Sequence, residues 1–210
     1  MFYLFFTIAV GYLLGSIPCG YLVVKAIRGI DVRNFGSGNI GTTNVQRILG
    51  SSSALLVLVG DMGKGALSVY LGVLLAPFAH MSPQVMGGMA GITSIIGHNW
   101  PVFLKFKGGK GVAISAGVFL TLTPFPLMLS ALVMALVVGL TRYVSLGSIT
   151  AAGALPFLVW FWMKEESFYL VLSALAASLI LLRHRSNLRR LLRGEERRLG
   201  KRLKIGTDKG

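Results

Sequence analysis

The chain has 210 residues, of which 54% are apolar, 10% aromatic and only 13% charged, with a mean hydropathy of +0.71. A soluble domain carries about 25% charged residues, so disorder is excluded and an ordinary soluble globule is disfavoured. The formal charge is +14, from 21 Lys and Arg against 7 Asp and Glu; a chain both this basic and this apolar points to a bilayer, with its cationic excess on the cytoplasmic side, rather than to nucleic acid. A single cysteine, Cys19, excludes an internal disulfide framework.

A helix needs about 20 mostly apolar residues to cross the hydrocarbon. Taken in chain order, seven segments qualify or come close. The first runs from Phe2 to Val24 without a charge; it lacks a basic leader and is too long for a cleaved signal peptide, so it reads as a retained span. The second, Ser53 to Phe78, is interrupted by Asp61 and Lys64. The third covers about Gln84 to Ile96 and the fourth Val112 to Thr123, ended by a turn at Pro124 and Pro126. The fifth runs from about Leu127 to Leu140, the sixth from Ser148 to Met163 and the seventh from Phe168 to Leu182. Lys25, Arg28, Arg33 and Arg47 follow the first span; Lys105, Lys107 and Lys110 follow the third; Arg142 follows the fifth; eleven Lys and Arg follow from Arg183 onward. Seven crossings put all of these on one side. The expectation is an all-α integral membrane protein of about seven transmembrane helices, with the N-terminus outside and the C-terminus cytoplasmic. Residues 1–195 form one polytopic unit and 196–210 a basic cytoplasmic tail. No repeat of 20–50 residues stands out.

The reactive side chains concentrate in three basic-side loops and the start of the tail. Gly36-Ser37-Gly38-Asn39-Ile40-Gly41-Thr42-Thr43-Asn44-Val45-Gln46-Arg47 mixes glycine with hydroxyls and amides and ends in arginine. Glycines let backbone N–H groups turn toward an anion, and arginine contacts phosphate through two donors. The same residues also suit a turn and a helix cap. Gly97 to Gly111 carries His98, Lys105, Lys107, Gly108, Gly109 and Lys110. It suits a phosphate cradle leading into a helix N-terminus, or a lysine anchor on anionic lipid heads. It is not a Walker loop, because Gly111 follows Lys110 where Ser or Thr is required. Ser145 and Ser148 are three apart and share a face if helical, as are His184 and Asn187. From Leu188 through Leu203, leucines alternate with basic residues, and the stretch after Gly194 reads as an amphipathic anchor on the membrane surface. Asp61 and Lys64, inside an apolar span, either pair with each other or face a substrate.

Several chemistries fall away. Paired carboxylates for glycoside hydrolysis are missing, a Cys/His metal site is unsupported, and Ser37 lacks a flanking Gly-x-Ser-x-Gly pattern because Phe35 stands two before it. No His is followed five residues later by Asp. A dense set of phosphate donors at a bilayer face remains, which implies a phosphorylated, membrane-associated substrate.

Ser37 to Arg47 and Gly97 to Ala113, with Gly15-Ser16-Ile17-Pro18, the Asp61/Lys64 pair and Arg183-His184-Arg185-Ser186-Asn187, resemble the bacterial acyl-phosphate:glycerol-3-phosphate acyltransferase family over about residues 1–195. Thr42 stands where that family often shows Ala. The resemblance implies a multi-pass enzyme of the bacterial inner membrane, with its active site facing the cytoplasm and no cofactor. It would move a fatty acyl group from acyl phosphate to the 1-hydroxyl of sn-glycerol 3-phosphate, giving lysophosphatidic acid and phosphate. Its partners would be those two substrates and anionic membrane lipids, without nucleic acid. Candidate catalytic residues are Ser37, His98 and Lys107. Candidate binding residues are Asn39, Thr43, Asn44, Arg47, Lys105, Gly108, Gly109, Lys110, Gly111, Ser145, His184 and Asn187. No carboxylate is evident to orient His98, so the substrate's phosphate, with a second pKa near 6, competes with His98 and His184 as the proton acceptor. An organic-phosphate transporter is the alternative, though its site would sit near the midplane, often between repeats.

Overall fold

The computed structural model describes residues 1–164 and 167–200. They form α-helices joined by short connections: α1 (Phe2–Ser16), α2 (Cys19–Arg28), α3 (Thr42–Leu49), α4 (Ser51–Ala79), α5 (Pro83–Asn99), α6 (Val112–Leu122), α7 (Pro124–Thr141), α8 (Val144–Trp162), α9 (Ser167–Arg183) and α10 (Arg185–Leu192). Six of the seven apolar segments each coincide with one helix, and the first is shared between α1 and α2. Among the described residues, four stretches are long and apolar enough to cross a membrane: Phe2–Arg28, Ser51–Ala79, Pro124–Thr141 and Val144–Trp162. A fifth counts if α9 and α10, bent by 59° at their junction, form one span. α6 has 11 residues, about 17 Å at 1.5 Å per residue, well short of the roughly 30 Å hydrocarbon. The protein is therefore an all-helical integral membrane protein whose spans differ widely in length.

Prolines set the breaks. Pro18 divides the first apolar segment, which the sequence presents as continuous. Ile17 before it is extended (ψ 115°), as steric conflict with a following proline ring requires. The break takes the Ile17 carbonyl out of the helical ladder; it accepts from Cys19 N–H at 3.1 Å and from Lys64 Nζ at 2.7 Å. At Pro124 the expected turn shrinks to one residue: Thr123 caps α6 and α7 begins at Pro124 itself. A proline at the first helical position loses nothing, because its N–H would be unpaired there anyway.

α4 and α5 are the centre of the bundle. α4 packs on α1, α3, α5 and α6; α5 also packs on α1, α6 and α9; α7 pairs with α8, and α8 with α9. Close approach depends on small residues: a Cβ on Gly15 would strike the Ser94 carbonyl of α5, and one on Gly117 the Met62 carbonyl of α4. The main core joins Ile92, Ile95, Val118, Phe119, Leu155 and Leu172. A second cluster, including Val24, Val32, Val45, Val57 and Leu104, packs α2 and α3 against the start of α4. Large apolar side chains cover the outside, Leu140 being 85% exposed. This is the pattern of a surface solvated by lipid.

The tail differs from the expected surface anchor. α10 is the amphipathic helix, and residues 195–200 turn back on the bundle: Glu195 N–H donates to the Arg190 carbonyl at 2.8 Å and Leu199 N–H to the Arg142 carbonyl at 2.7 Å. The reason is local: Gly194 (φ 70°) reverses the chain, and Glu196 finds polar partners inside. Residues 201–210, including Leu203, lie outside the described residues, as do Glu165 and Glu166 beside Lys164.

Candidate functional site

Parts of seven helices meet at one end of the bundle: α3, the N-terminal half of α4, the C-terminus of α5, the N-termini of α6 and α8, and the α9–α10 junction. They enclose a chamber of about 820 Å3, within the usual range for a ligand cavity.

The first wall is the glycine-rich loop before α3. Gly36 and Gly38 take positive φ (64° and 69°), which glycine adopts without strain. Asn44, 2% exposed, holds the loop: its Oδ1 accepts from Ser37 N–H at 2.9 Å, and its Nδ2 donates to the Asn39 and Phe35 carbonyls at 2.9 and 3.0 Å. Asn39 Oδ1 accepts from Gly41 N–H at 2.8 Å. Asn44 therefore shapes the loop with its amide, while Ser37 and Thr43 line the chamber. Arg47, one helical turn on, brings a guanidinium without a hydrogen-bond or ion-pair partner among the described residues; burial lowers its pKa, and an arginine stays charged regardless.

The second wall is the loop into α6. Gly111 caps that helix with φ 85°. Lys110 reaches the chamber and donates to Asn187 Oδ1 at 2.6 Å. It lies in a connection outside the spanning helices, and burial pulls its pKa from the ordinary 10.5 to about 8; Arg190, Arg47 and Arg183 push the same way and Glu196 opposes them. Asn187 Nδ2 donates to Glu196 Oε1 at 2.8 Å, Ser145 Oγ to the same oxygen at 3.1 Å, and Arg190 Nε to Glu196 Oε2 at 2.8 Å. His184 completes the wall. Its Nδ1 lies 2.8 Å from the Ile180 carbonyl; a carbonyl only accepts, so Nδ1 carries the proton and the lone pair is on Nε2. Opposite these polar groups stand Leu55, Leu58, Ala113, Ala116, Met134 and Val144. One cavity thus joins cationic donors to an apolar flank.

His98 sits deeper. Its Nδ1 is 3.0 Å from Lys64 Nζ and 3.6 Å from Asp61 Oδ1, while Lys64 Nζ lies 2.9 Å from Asp61 Oδ1. A carboxylate beside His98 does exist, contrary to the sequence reading, because α4 and α5 pack face to face. Asp61 and Lys64 are 1% and 7% exposed and pair with each other, and Asp61 also reaches the chamber lining. An ammonium donating to Nδ1 takes up the lone pair that a general base would need. On the other side, a Cβ at Gly109 would fall on His98 Nε2.

Of the residues singled out from sequence, Ser37, Asn39, Thr43, Asn44, Arg47, His98, Lys110, Gly111, Ser145, His184 and Asn187 line the chamber. Lys105, Lys107 and Gly108 instead border a neighbouring opening, and Gly109 packs on His98. Lys105 and Phe106 both take left-handed conformations (φ 52° and 61°), and this double twist carries the two lysines away from the chamber. Sequence reasoning missed Glu196, Arg190 and Arg183. Arg183 donates through Nε to the Gly109 carbonyl and through Nη2 to the Gly108 carbonyl, both at 2.9 Å, with its guanidinium 5.5 Å from the Trp100 ring centre. It pins the glycine-rich turn that aims Lys110.

A bundle with a lipid-facing exterior and an amphiphilic, cation-lined chamber at one end defines an integral membrane protein that handles a phosphorylated lipid-like molecule. A sequence model of the glycerol-3-phosphate acyltransferase family matches residues 5–194. A glycerol-3-phosphate acyltransferase of Thermoanaerobacter sp. (strain X514) is 42% identical over 206 residues, covering 97% of this chain and 99% of its own. That of Syntrophotalea carbinolica is 46% identical over 188 residues, covering 89% and 93%. Two crystal structures of PlsY (YgiH), an integral membrane glycerol 3-phosphate acyltransferase, superpose on the fold. The glycerol 3-phosphate form has a TM-score of 0.84 at 38% identity, and the lysophosphatidic acid form 0.82 at 37%. Each covers 94% of this chain and 96% of its own. The chain belongs to the glycerol-3-phosphate acyltransferase family, and is an enzyme rather than a transporter.

Proposed function

We propose that the chain acylates the 1-hydroxyl of sn-glycerol 3-phosphate with fatty acyl phosphate, giving lysophosphatidic acid and inorganic phosphate, as the first acylation of bacterial phospholipid synthesis. The observation that carries this reading is the composition of the chamber. Arg47, Lys110 and the second N–H of the Asn187 amide supply phosphate donors on one side, beside Ser145 and His184, and leucine, alanine, methionine and valine line the other. The hydroxyl oxygen attacks the acyl carbon, the carbonyl's bond to the phosphate oxygen breaks, and phosphate leaves. The cationic donors hold both phosphates in line and stabilise the developing charge. A mixed anhydride already carries a good leaving group, so no acyl-enzyme is needed.

The hydroxyl proton passes to the substrate's own phosphate dianion. His184, with its lone pair on Nε2, accepts from that hydroxyl and orients it, and His98 holds the Gly108–Gly109 turn through its backbone and ring. His98→Gln tests the assignment: turnover falls while the pH profile keeps its shape, whereas loss of the acidic limb would make His98 the proton acceptor. Direct transfer is tested with acyl phosphate alone. The account expects no burst of phosphate and no acylated protein by mass spectrometry; a stoichiometric burst would require a covalent intermediate.

We also propose seven crossings, with the N-terminus outside and the chamber at the cytoplasmic face of the bacterial inner membrane. Support comes from Lys25, Arg28, Arg142 and Arg183 at helix ends and from Lys105 and Lys107 in the connection from α5 to α6, all on the chamber side.

A further inference from the structure

Beside the chamber lies a second opening of about 1040 Å3, bordered by Arg33, Lys105, Lys107, Arg183, Arg185 and Arg190. Ser37, Asn39, Lys110 and Arg190 border both cavities, so the two share a wall. Among the described residues its one lining carboxylate, Asp31, is already engaged: Arg33 donates to both oxygens at 2.6–3.1 Å. Arg183 is bonded to Gly108 and Gly109, and Arg190 to Glu196. Lys105, Lys107 and Arg185 remain, exposed and with no side-chain partner among the described residues.

The lysines are held in place rather than trailing. Two successive non-glycine residues in the left-handed region, Lys105 and Phe106, persist only where surrounding structure imposes them. Phe106 N–H donates to the Pro101 carbonyl at 2.9 Å and Lys107 N–H to Leu104 at 3.2 Å, and Arg33 Nη1 reaches the Leu104 carbonyl at 3.4 Å. The loop that carries two unpaired ammonium groups is thereby tied to the loop that carries Ser37.

We infer that this opening is an outer phosphate station, which gathers the water-soluble glycerol 3-phosphate dianion before it passes Lys110 and receives inorganic phosphate as it leaves. The inference rests on the proposed reaction. A recess walled by cations of one sign focuses the field and raises the local concentration of dianions, with a steep dependence on ionic strength. The chamber itself, with its apolar flank, suits the acyl donor and the reacting groups. A separate polar approach lets the soluble substrate enter without displacing the chain.

The test compares wild type, K105E/K107E and K25E/R28E in nanodiscs of neutral phosphatidylcholine. The last pair reverses the same charge on α2, outside both cavities. K105E/K107E is expected to raise KM for glycerol 3-phosphate at least tenfold at low salt and to lower kcat less than twofold. The defect should shrink toward wild type as salt rises to about 0.5 M. The inhibition constant of inorganic phosphate should rise in parallel, and K25E/R28E should change neither. An unchanged KM, an equal rise in K25E/R28E, or a fall in kcat alone overturns the station. So does a defect seen only when phosphatidylglycerol is present, which would assign the lysines to lipid headgroups. Calorimetric titration of inorganic phosphate reads the station without turnover. Failure of wild type to form lysophosphatidic acid therefore counts against the proposed reaction and not against this site.

Discussion

Lys110 is the residue whose role can be worked furthest from its surroundings. Burial lowers its pKa to about 8 from the ordinary 10.5. The difference corresponds to about 3 kcal/mol by which the surroundings of Lys110 disfavour the ammonium, at 1.36 kcal/mol per pKa unit. The sign is that of a base with a depressed pKa: below pH 8 the lysine is charged in spite of the penalty, and between about 8 and 10.5 the folded protein binds fewer protons than the unfolded chain. Bound phosphate reverses this by pairing with the ammonium and returning its pKa toward 10.5. Glycerol 3-phosphate, with a second pKa near 6, is about one-tenth monoanion at pH 7 and wholly dianion at pH 9, so at pH 7 it releases about as many protons as Lys110 gains. Binding should then take up close to no net proton at pH 7 and about 0.9 at pH 9, and affinity should fall as pH rises through 8. Calorimetry in pairs of buffers with different ionisation enthalpies measures the uptake. Lys110→Arg, which keeps the charge and does not titrate, should abolish it. Zero uptake by wild type at pH 9, or the same uptake by the arginine variant, would refute the reasoning.

Arg47→Lys replaces a two-donor contact by a point charge. It should lower kcat/KM about 10–100-fold, the loss of one charged hydrogen bond, and an initial-rate assay checks it. Arg183→Lys loses at least one of the two carbonyl contacts that pin Gly108 and Gly109; it should reduce kcat/KM about tenfold with the thermal midpoint little changed, read by rate and melting assays in parallel. Gly109→Ala drives a methyl into His98 Nε2, whereas Gly139→Ala meets nothing within 4 Å. The first should lose most activity and the second none, compared at equal amounts of folded protein. Asn44→Leu strips the Ser37 N–H and the Asn39 carbonyl of their partner. It should lower stability by about 1–3 kcal/mol and raise KM for glycerol 3-phosphate, as denaturation and kinetics would show.

The helices were legible because apolar runs and basic connections are strong local signals. Glycine next to hydroxyl and amide side chains likewise marked the 36–47 loop. Four features were not legible, for physical reasons. The kink at Pro18 matters only because Lys64 of another helix reaches the carbonyl it takes out of the helical ladder. Lys105, Lys107 and Lys110 look alike in sequence, and the left-handed pair at Lys105 and Phe106 sends two outward and leaves one inside. Glu196 reads as one acid in an arginine-rich tail until the Gly194 turn places it between Ser145, Asn187 and Arg190. Arg183 acts on carbonyls 74 and 75 residues away, a distance that composition and periodicity do not encode.

The central claim is the donor and the uncoupled transfer. The direct measurement presents purified protein in nanodiscs with glycerol 3-phosphate and either palmitoyl phosphate or palmitoyl-CoA, following lysophosphatidic acid and inorganic phosphate together. The account predicts product from palmitoyl phosphate alone, with one phosphate released for each lysophosphatidic acid formed. Product from palmitoyl-CoA at a comparable rate, or no product from palmitoyl phosphate in protein shown to be folded, would contradict it.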